Sequence, residues 1–329
     1  MKTATVETIS EIITHPNADS LEIAKIQGWQ CVVRKGEFKA GEKVVFIPID
    51  VILPDAPWSA FLKRGDKRIR LKTIKLRGEY SQGLVLNANV LPGGGEGLLE
   101  GDDVGEILGV IKYEKELHGP SSAGSNLSGD ILCTFPTDLA PKTDEDNALS
   151  NKRQAENVLR HDCVATLKLD GSSGTIIVEN GKILHVCSRN MSLRESDTNA
   201  FWVAARKATF PSYFTGVVQG ELMGPGIQGN QLAEKTPTLY VYQIRLNGKW
   251  LDHEEMTKLA TSFGLKHVWM IGAFPAGTSI EHAQSFADNL TYFGVMMEGI
   301  VVRPIGTPAS GIGRPLGVKF INRNYDIKN

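Results

Sequence analysis

The chain has 329 residues, more than one ordinary hydrophobic core requires and enough for two. Hydrophobic residues at 41% and charged residues at 22% are ordinary globular usage, which excludes a disordered, fibrous or disulfide-framework chain. Lys and Arg number 36 against 37 Asp and Glu, so the global balance gives no sign of a polyanionic partner. Cys31, Cys133, Cys163 and Cys187 are scattered without a metal-binding or disulfide spacing, which suits a reducing compartment. No apolar run nears the roughly 18 residues of a membrane helix, and Glu7 and Glu11 interrupt the N-terminus where a signal core would lie. A cytoplasmic protein without membrane attachment is expected.

In chain order, the first runs rich in β-branched residues are Val32-Val33, residues 43–49 and residues 69–76, separated by Gly, Pro and Asp at the spacing of a small barrel. Ahead of them, His15-Pro16-Asn17-Ala18-Asp19-Ser20-Leu21 resembles the opening turn of OB-fold tRNA-binding modules, and His15 reads as a turn residue rather than a metal ligand. Residues 63–77 then carry eight Lys or Arg and one Asp. Basic and aliphatic residues alternate over 68–72, so one face of a strand would be cationic and the other buried. Lys67, Arg68, Arg70 and Lys72 are the residues expected to meet a nucleic-acid backbone, by phosphate contact without base readout. The alternative is an edge strand using charge against unwanted pairing. Divided by region, residues 1–117 sum to −1 although this stripe is +7, and residues 151–329 sum to +4.

Gly119, Pro120, Ser121, Ser122, Gly124 and Asn126 give the composition of a linker, expected over residues 118–135. Beyond it, strand-like runs at 175–178, 239–244 and 299–303 alternate with helical patterns near 197–208, 253–263 and 279–290. Asp197 or Thr198 is the expected cap of the first of these helices. This second domain, residues 136–329, reads as mixed α+β.

Its chemistry centres on Lys168-Leu169-Asp170-Gly171, after the apolar run 164–167. Residues two apart in a strand face the same side, so a cation and a carboxylate would share a pocket, with Gly171 allowing a tight turn behind them. Alone, so short a pattern is also what a surface ion pair would leave. It is followed in order by Ser188-Arg189-Asn190, a Gly220-Glu221-Leu222 element continuing to Asn230, Tyr240-Val241-Tyr242-Gln243, Glu298-Gly299-Ile300-Val301-Val302-Arg303 and Val318-Lys319-Phe320. This ordered set resembles the signature motifs of covalent nucleotidyltransferases, and within them the ATP-dependent RNA ligases of the Deinococcus/Naegleria type. The resemblance implies an α+β chain of two domains: an N-terminal OB-fold β-barrel over residues 1–117, then an ATP-grasp-like nucleotidyltransferase domain of antiparallel sheets flanked by helices. DNA ligases and capping enzymes carry their OB domain after the last lysine motif, whereas ten residues follow Lys319 here, which makes them poorer matches.

What the resemblance implies for the site is specific. Lys168 attacks the α-phosphorus of ATP to give lysyl-AMP, AMP passes to an RNA 5′-phosphate, and a 3′-hydroxyl closes the joint. A lysine with a pKa near 10.4 is protonated at neutral pH, so the site is expected to lower that value through Lys319 and a divalent metal. Asp170, Glu221 and Glu298 are the expected holders of Mg²⁺ or Mn²⁺, largely through its waters. Glu221 is alternatively a partner of the ribose hydroxyl. Tyr242 is expected to stack on adenine and Arg189 to engage ribose or substrate phosphate. The implied partner is RNA with 5′-phosphate and 3′-hydroxyl ends, as a nicked or splinted duplex, acted on by a monomer.

Three positions depart from the family pattern. Ile321 stands where many relatives have a second lysine, with Arg314 or Arg323 as possible substitutes; Gln243 replaces an acid; Asn147 replaces an arginine in the opening motif that contains Lys142-Thr143-Asp144. They leave two alternatives open: an RNA-binding protein with a degenerate nucleotidyltransferase domain, or a nucleotidyltransferase that uses GTP or seals DNA.

Overall fold

The computed structural model describes residues 2–63, 65, 68–113, 131–306 and 313–328. Lys67 and most of the expected linker lie outside the described residues. The chain forms two compact units, one of residues 1–115 with 148–152 and 323–329, the other of residues 116–147 and 153–322. Two short segments from beyond residue 115 thus belong with the first unit. Gly28 N donates to Leu149 O at 3.3 Å, and Tyr80 Oη donates to Asn324 Oδ1 at 2.8 Å.

In the first unit Lys43–Ile47 lies between Thr5–Thr8 and Leu84–Asn87, all antiparallel. Val44, Val45, Phe46 and Ile47 are all buried, as a central strand covered on both faces requires. A second antiparallel sheet joins Glu11–Thr14, Leu21–Ile26 and Trp29–Arg34, and a third joins Ile111–Lys112, Val51–Leu53 and Ile69–Arg70. Val6, Val45, Ile47, Leu53 and Val104 share one core. His15 is a turn residue as expected. Its Nδ1 accepts from Asn17 N at 3.1 Å, which leaves Nε2 to donate to Leu76 O at 3.1 Å.

The basic stripe differs from expectation. Instead of one strand over 69–76 there are two short ones, Ile69–Arg70 and Ile74–Leu76, the latter paired with Glu79–Ser81. Burial still alternates, with Leu71 and Thr73 buried and Arg68 and Lys72 exposed. Arg70, however, is half-buried and committed: its guanidinium donates to Asp50 Oδ1 at 2.7 Å and lies 3.8 Å from the Tyr113 ring centroid. Arg70 is therefore a residue of the unit's own structure.

The second unit carries two large sheets. In one, Ile131–Thr134, Met191–Leu193, Lys182–Cys187, Ser172–Glu179, Gly216–Met223, Thr238–Leu246 and Lys249–Trp250 follow in that order, with Lys266–His267 parallel to Thr238–Leu246. Ile131–Thr134, within the stretch expected as linker, is thus a sheet strand. In the other, the order is Asp146–Asn147, Val318–Ile321, Gly299–Pro304, Cys163–Lys168 and Met270–Phe274. The three expected helices are Ala200–Ala205, His253–Ser262 and Ile280–Asp288. Asn199, not Asp197 or Thr198, caps the first, its side chain accepting from Phe201 N and Trp202 N. Asp252 and Glu255 form a capping box on the second. Phe201, Phe214, Val218 and Phe263 pack in one core against the larger sheet.

Arg70→Ala is expected to cost about 1–2 kcal/mol, by losing one exposed ion pair and one cation–π contact. Arg68→Ala, exposed, should leave stability within about 0.5 kcal/mol. Urea unfolding of the two variants separates them, and equal stability would remove the structural role of Arg70.

Candidate active site

Strand Cys163–Lys168 lies between Gly299–Pro304 and Met270–Phe274. Leu167 and Leu169 enter an apolar cluster with Met223, Tyr240, Val268 and Met297, which turns Lys168 and Asp170 to the other side. The strand ends at Lys168, opposite Gly299, but the alternation continues through Asp170. Lys168 Nζ donates to Glu298 Oε2 at 2.5 Å, the residue beside that last ladder pair. Gly299 has φ +151°, and a Cβ there would lie 2.1 Å from Phe320 O. Only glycine lets strand Val318–Ile321 close against this point, and that closure sets Lys319 opposite Val301.

Gly171 is required for a reason other than the expected turn, since its φ is not positive. A Cβ would lie 2.4 Å from Leu222 O and 2.9 Å from Glu221 Cγ. This close approach of two backbones lets Gly171 N donate to Glu221 Oε1 at 3.2 Å, drawing the carboxylate of strand Gly216–Met223 toward Lys168.

Lys168, Asp170, Glu221, Glu298 and Lys319 therefore act on one another electrically. Burial pushes Glu221 up to about 8, against the opposing pull of Lys168 and with further help from the Glu298 charge. Burial likewise raises Glu298. For Lys168, burial favours the neutral amine, but the charges of Glu298, Glu221 and Asp170 outweigh it and hold the ammonium above its ordinary range. The expected lowering includes a divalent metal; in the chain by itself, three carboxylates face this amine and outweigh burial. Burial and the Lys168 charge lower Lys319 instead.

Around this centre, Tyr242 Oη is 3.4 Å from Ser173 Oγ, which is 2.5 Å from Thr143 Oγ1. Arg303, 5.8 Å from the Tyr242 ring centroid, donates to Glu145 Oε1 at 2.6 Å, and both side chains are about 10% exposed. Arg189 donates to Asp144 Oδ1 at 2.7 Å, and Arg314 donates to the Asp144 carbonyl. Of the two substitutes for a second lysine, Arg314 thus joins the opening motif, whereas Arg323 lies over the Tyr80 ring within the first unit. Ser173, Thr143, Arg303 and Glu145 were not singled out from the sequence. Each sits in or beside a quoted motif, but the Glu145–Arg303 pair spans 158 positions and leaves no local pattern.

The OB-fold domain family matches residues 3–88 and the RNA ligase family matches residues 161–315. A variant of the Naegleria gruberi RNA ligase solved with AMP and Mn is similar at 31% identity and TM-score 0.84, over 100% of this chain and 99% of that one. The chain belongs to the RNA ligase family. A second Naegleria variant, with ATP and Mn, is 32% identical over the same shares with TM-score 0.84, and that ligase with PPi is 31% identical with the same shares and score. A comparison with curated proteins gave no match.

In this RNA ligase no three His, Cys, Asp or Glu side chains among the described residues converge closely enough to ligate one cation together. The fit to a divalent metal is of another kind. Several half-buried carboxylates, one of them pushed up to about 8, form a site that gains from added positive charge.

A carboxyl raised to about 8 in the folded protein stays protonated while the unfolded chain ionises near its ordinary value of 4.5. Its stabilising contribution is full below the unfolded value and is lost as pH rises toward 8. Glu221→Gln should therefore gain stability relative to wild type between pH 5 and pH 8, read as a growing difference in Tm. A constant difference across that range would show that Glu221 does not titrate there.

Proposed function

We propose that this RNA ligase acts through Lys168, which carries AMP from ATP to the 5′-phosphate of RNA. The observation that carries the reading is the convergence of Lys168, Asp170, Glu221, Glu298 and Lys319 in one half-buried site of an RNA ligase chain. The ATP, AMP, Mn and PPi named with the Naegleria structures support it. Nζ of Lys168 loses a proton, Glu298 at 2.5 Å being placed to receive it, and attacks the α-phosphorus. An N–P bond forms, the α–β phosphoanhydride breaks, and pyrophosphate leaves. The RNA 5′-phosphate then takes AMP from Lys168, and the 3′-hydroxyl displaces AMP to form the phosphodiester.

Mg²⁺ or Mn²⁺, held by Asp170, Glu221 and Glu298 mainly through its waters, supplies the positive charge that offsets these carboxylates and the phosphates. Lys319 places a second cation beside the transferring phosphoryl group. Tyr242 supplies an aromatic face for adenine, and Arg189, beside Asp144, a guanidinium for ribose or substrate phosphate.

We assign the first unit to the RNA backbone, through Arg68 and Lys72 rather than Arg70, whose guanidinium is committed to Asp50 and Tyr113. The substrate we infer is a nicked or splinted duplex, sealed by a monomer in the cytoplasm. No described helix is long and apolar enough to cross a membrane.

Incubation with α-labelled ATP and Mn²⁺ should label the wild-type chain covalently, and Lys168→Ala should label at least about 10³-fold less. Undiminished labelling of Lys168→Ala would place the nucleophile elsewhere. Wild type that stays unlabelled yet binds RNA would make it a binding protein.

A further inference from the structure

Strands Thr291–Tyr292 and Val295–Met296 pair as a hairpin, leaving Phe293 and Gly294 as its two-residue turn. Both turn residues are left-handed, at φ +52° and +74°. Such a turn favours asparagine at its first position, and the same unit uses that solution at Asn180-Gly181 (+49° and +76°) and at Asn247-Gly248 (+48° and +81°). Arg77-Gly78, in the basic stripe, departs from it as Phe293-Gly294 does. A bulky ring residue at positive φ is strained, and strain kept at an exposed turn calls for a reason outside the turn.

The ring is both displayed and held. Phe293 is 66% exposed, yet it makes edge contacts to Tyr292, with centroids 4.4 Å apart, and to Trp269 at 5.3 Å. Trp269 is fixed in turn, because its carbonyl accepts from Leu167 N at 2.9 Å, one residue before the nucleophile. Gln231 Nε2 donates to Met296 O at 3.2 Å, which ties the hairpin to the loop after Glu221. From Trp269 the aromatic row continues to Tyr240, 5.3 Å away, and Lys266, its side chain exposed, stands over the Tyr240 ring at 5.3 Å. Phe293 precedes Glu298 by five residues, so their backbones lie at most about 18 Å apart.

We propose that Phe293 is a stacking platform for a terminal base of the RNA at the break to be sealed. Inside a duplex both faces of a base are covered by its neighbours, whereas a break leaves the bases beside it with an open face. One braced ring supplies the flat contact that such a face takes whatever its sequence, and Lys266 supplies a cation in the same row. A protein partner fits less well, because a stable interface takes roughly 20–30 residues a side and this turn displays a single ring. The inference rests on the RNA-sealing reading and adds a residue that recognises the break, separate from the nucleotide held at Lys168.

The test uses the full-length ligase and a nicked RNA duplex already carrying AMP on its 5′-phosphate, so that sealing is read apart from lysine adenylylation. Phe293→Asn, which gives the turn its favoured residue, should keep Tm at or above wild type and label normally with α-labelled ATP. Its KM for the adenylylated duplex should rise about 10-fold, and Phe293→Trp should stay near wild type. Removing the base on one side of the break, and then on the other, locates the contact. Wild type should lose a similar factor at one of the two abasic sites, and Phe293→Asn should lose nothing more there. An unchanged KM in Phe293→Asn overturns the proposal, as do losses from variant and abasic site that multiply at both positions, which is what a merely structural role gives. A changed sedimentation of Phe293→Asn with unchanged KM would seat a second copy of the chain on the ring and overturn it too. Should Phe293→Asn fail to fold, Phe293→Leu, which removes the ring and keeps an apolar side chain, makes the same comparison with the same overturning results. A wild type that neither labels with ATP nor seals the adenylylated duplex defeats the RNA-sealing reading instead.

Discussion

The Lys168–Glu298 ion pair, half-buried and facing two further carboxylates, sets the electrical state on which the site depends. In water such a pair would be weak and its partners exchangeable. Here burial opposes the charged forms of Lys168, Glu221, Glu298 and Lys319, and three acids outnumber the two lysines. Burial raises Glu221, and the surplus negative charge holds Lys168 in its ammonium form. An ammonium is unreactive, so Lys168 must lose a proton before it can attack. Positive charge delivered to the carboxylates would remove the interactions that hold the proton on Lys168, leaving burial and Lys319 to favour the neutral amine. The same carboxylates that silence the nucleophile are thus what makes its activation depend on a cation.

That charge cluster exists because separate strands come unusually close. Gly171 and Gly299 stand where a Cβ would collide with Leu222 O and Phe320 O, and they admit Glu221 and Lys319 respectively. The glycines of both motifs thus act by permitting approach, and the chemistry-bearing residues beside them are placed by sheet register. Register is a stiff constraint, because a one-residue slip would turn Lys168 into the apolar cluster and Leu167 out of it.

Features governed by local periodicity were readable in the chain. Two-residue alternation put Lys168 and Asp170 on one side, and helical spacing marked the three helices Ala200–Ala205, His253–Ser262 and Ile280–Asp288. Features that depend on a distant partner were not. The alternation at 68–72 correctly separates buried Leu71 from exposed Lys72, yet nothing near Arg70 announces Asp50 and Tyr113, which occupy its guanidinium. The raised pKa of Lys168 in the chain alone was not readable for the same reason, since Glu221 and Glu298 are brought to it by other strands. Gly171 was found by pattern but given the wrong physical cause, because a sequence shows the absence of a side chain and not the atom that would have met it.

The departures from the family pattern bear on whether the site has decayed, and Gln243 is the most informative. A carboxylate at this position would be buried and would face Gln219 Oε1, an acceptor, because Gln219 Nε2 is taken by Pro141 and Thr175. Within this backbone an acid would have to be protonated or would break the Pro141 contact, whereas glutamine satisfies Gln219. A decaying site loses constraints independently, but here the residue at 243 matches the orientation of 219, which in turn matches a carbonyl 78 positions earlier. Such agreement across three elements is the mark of a working site with its own local solution.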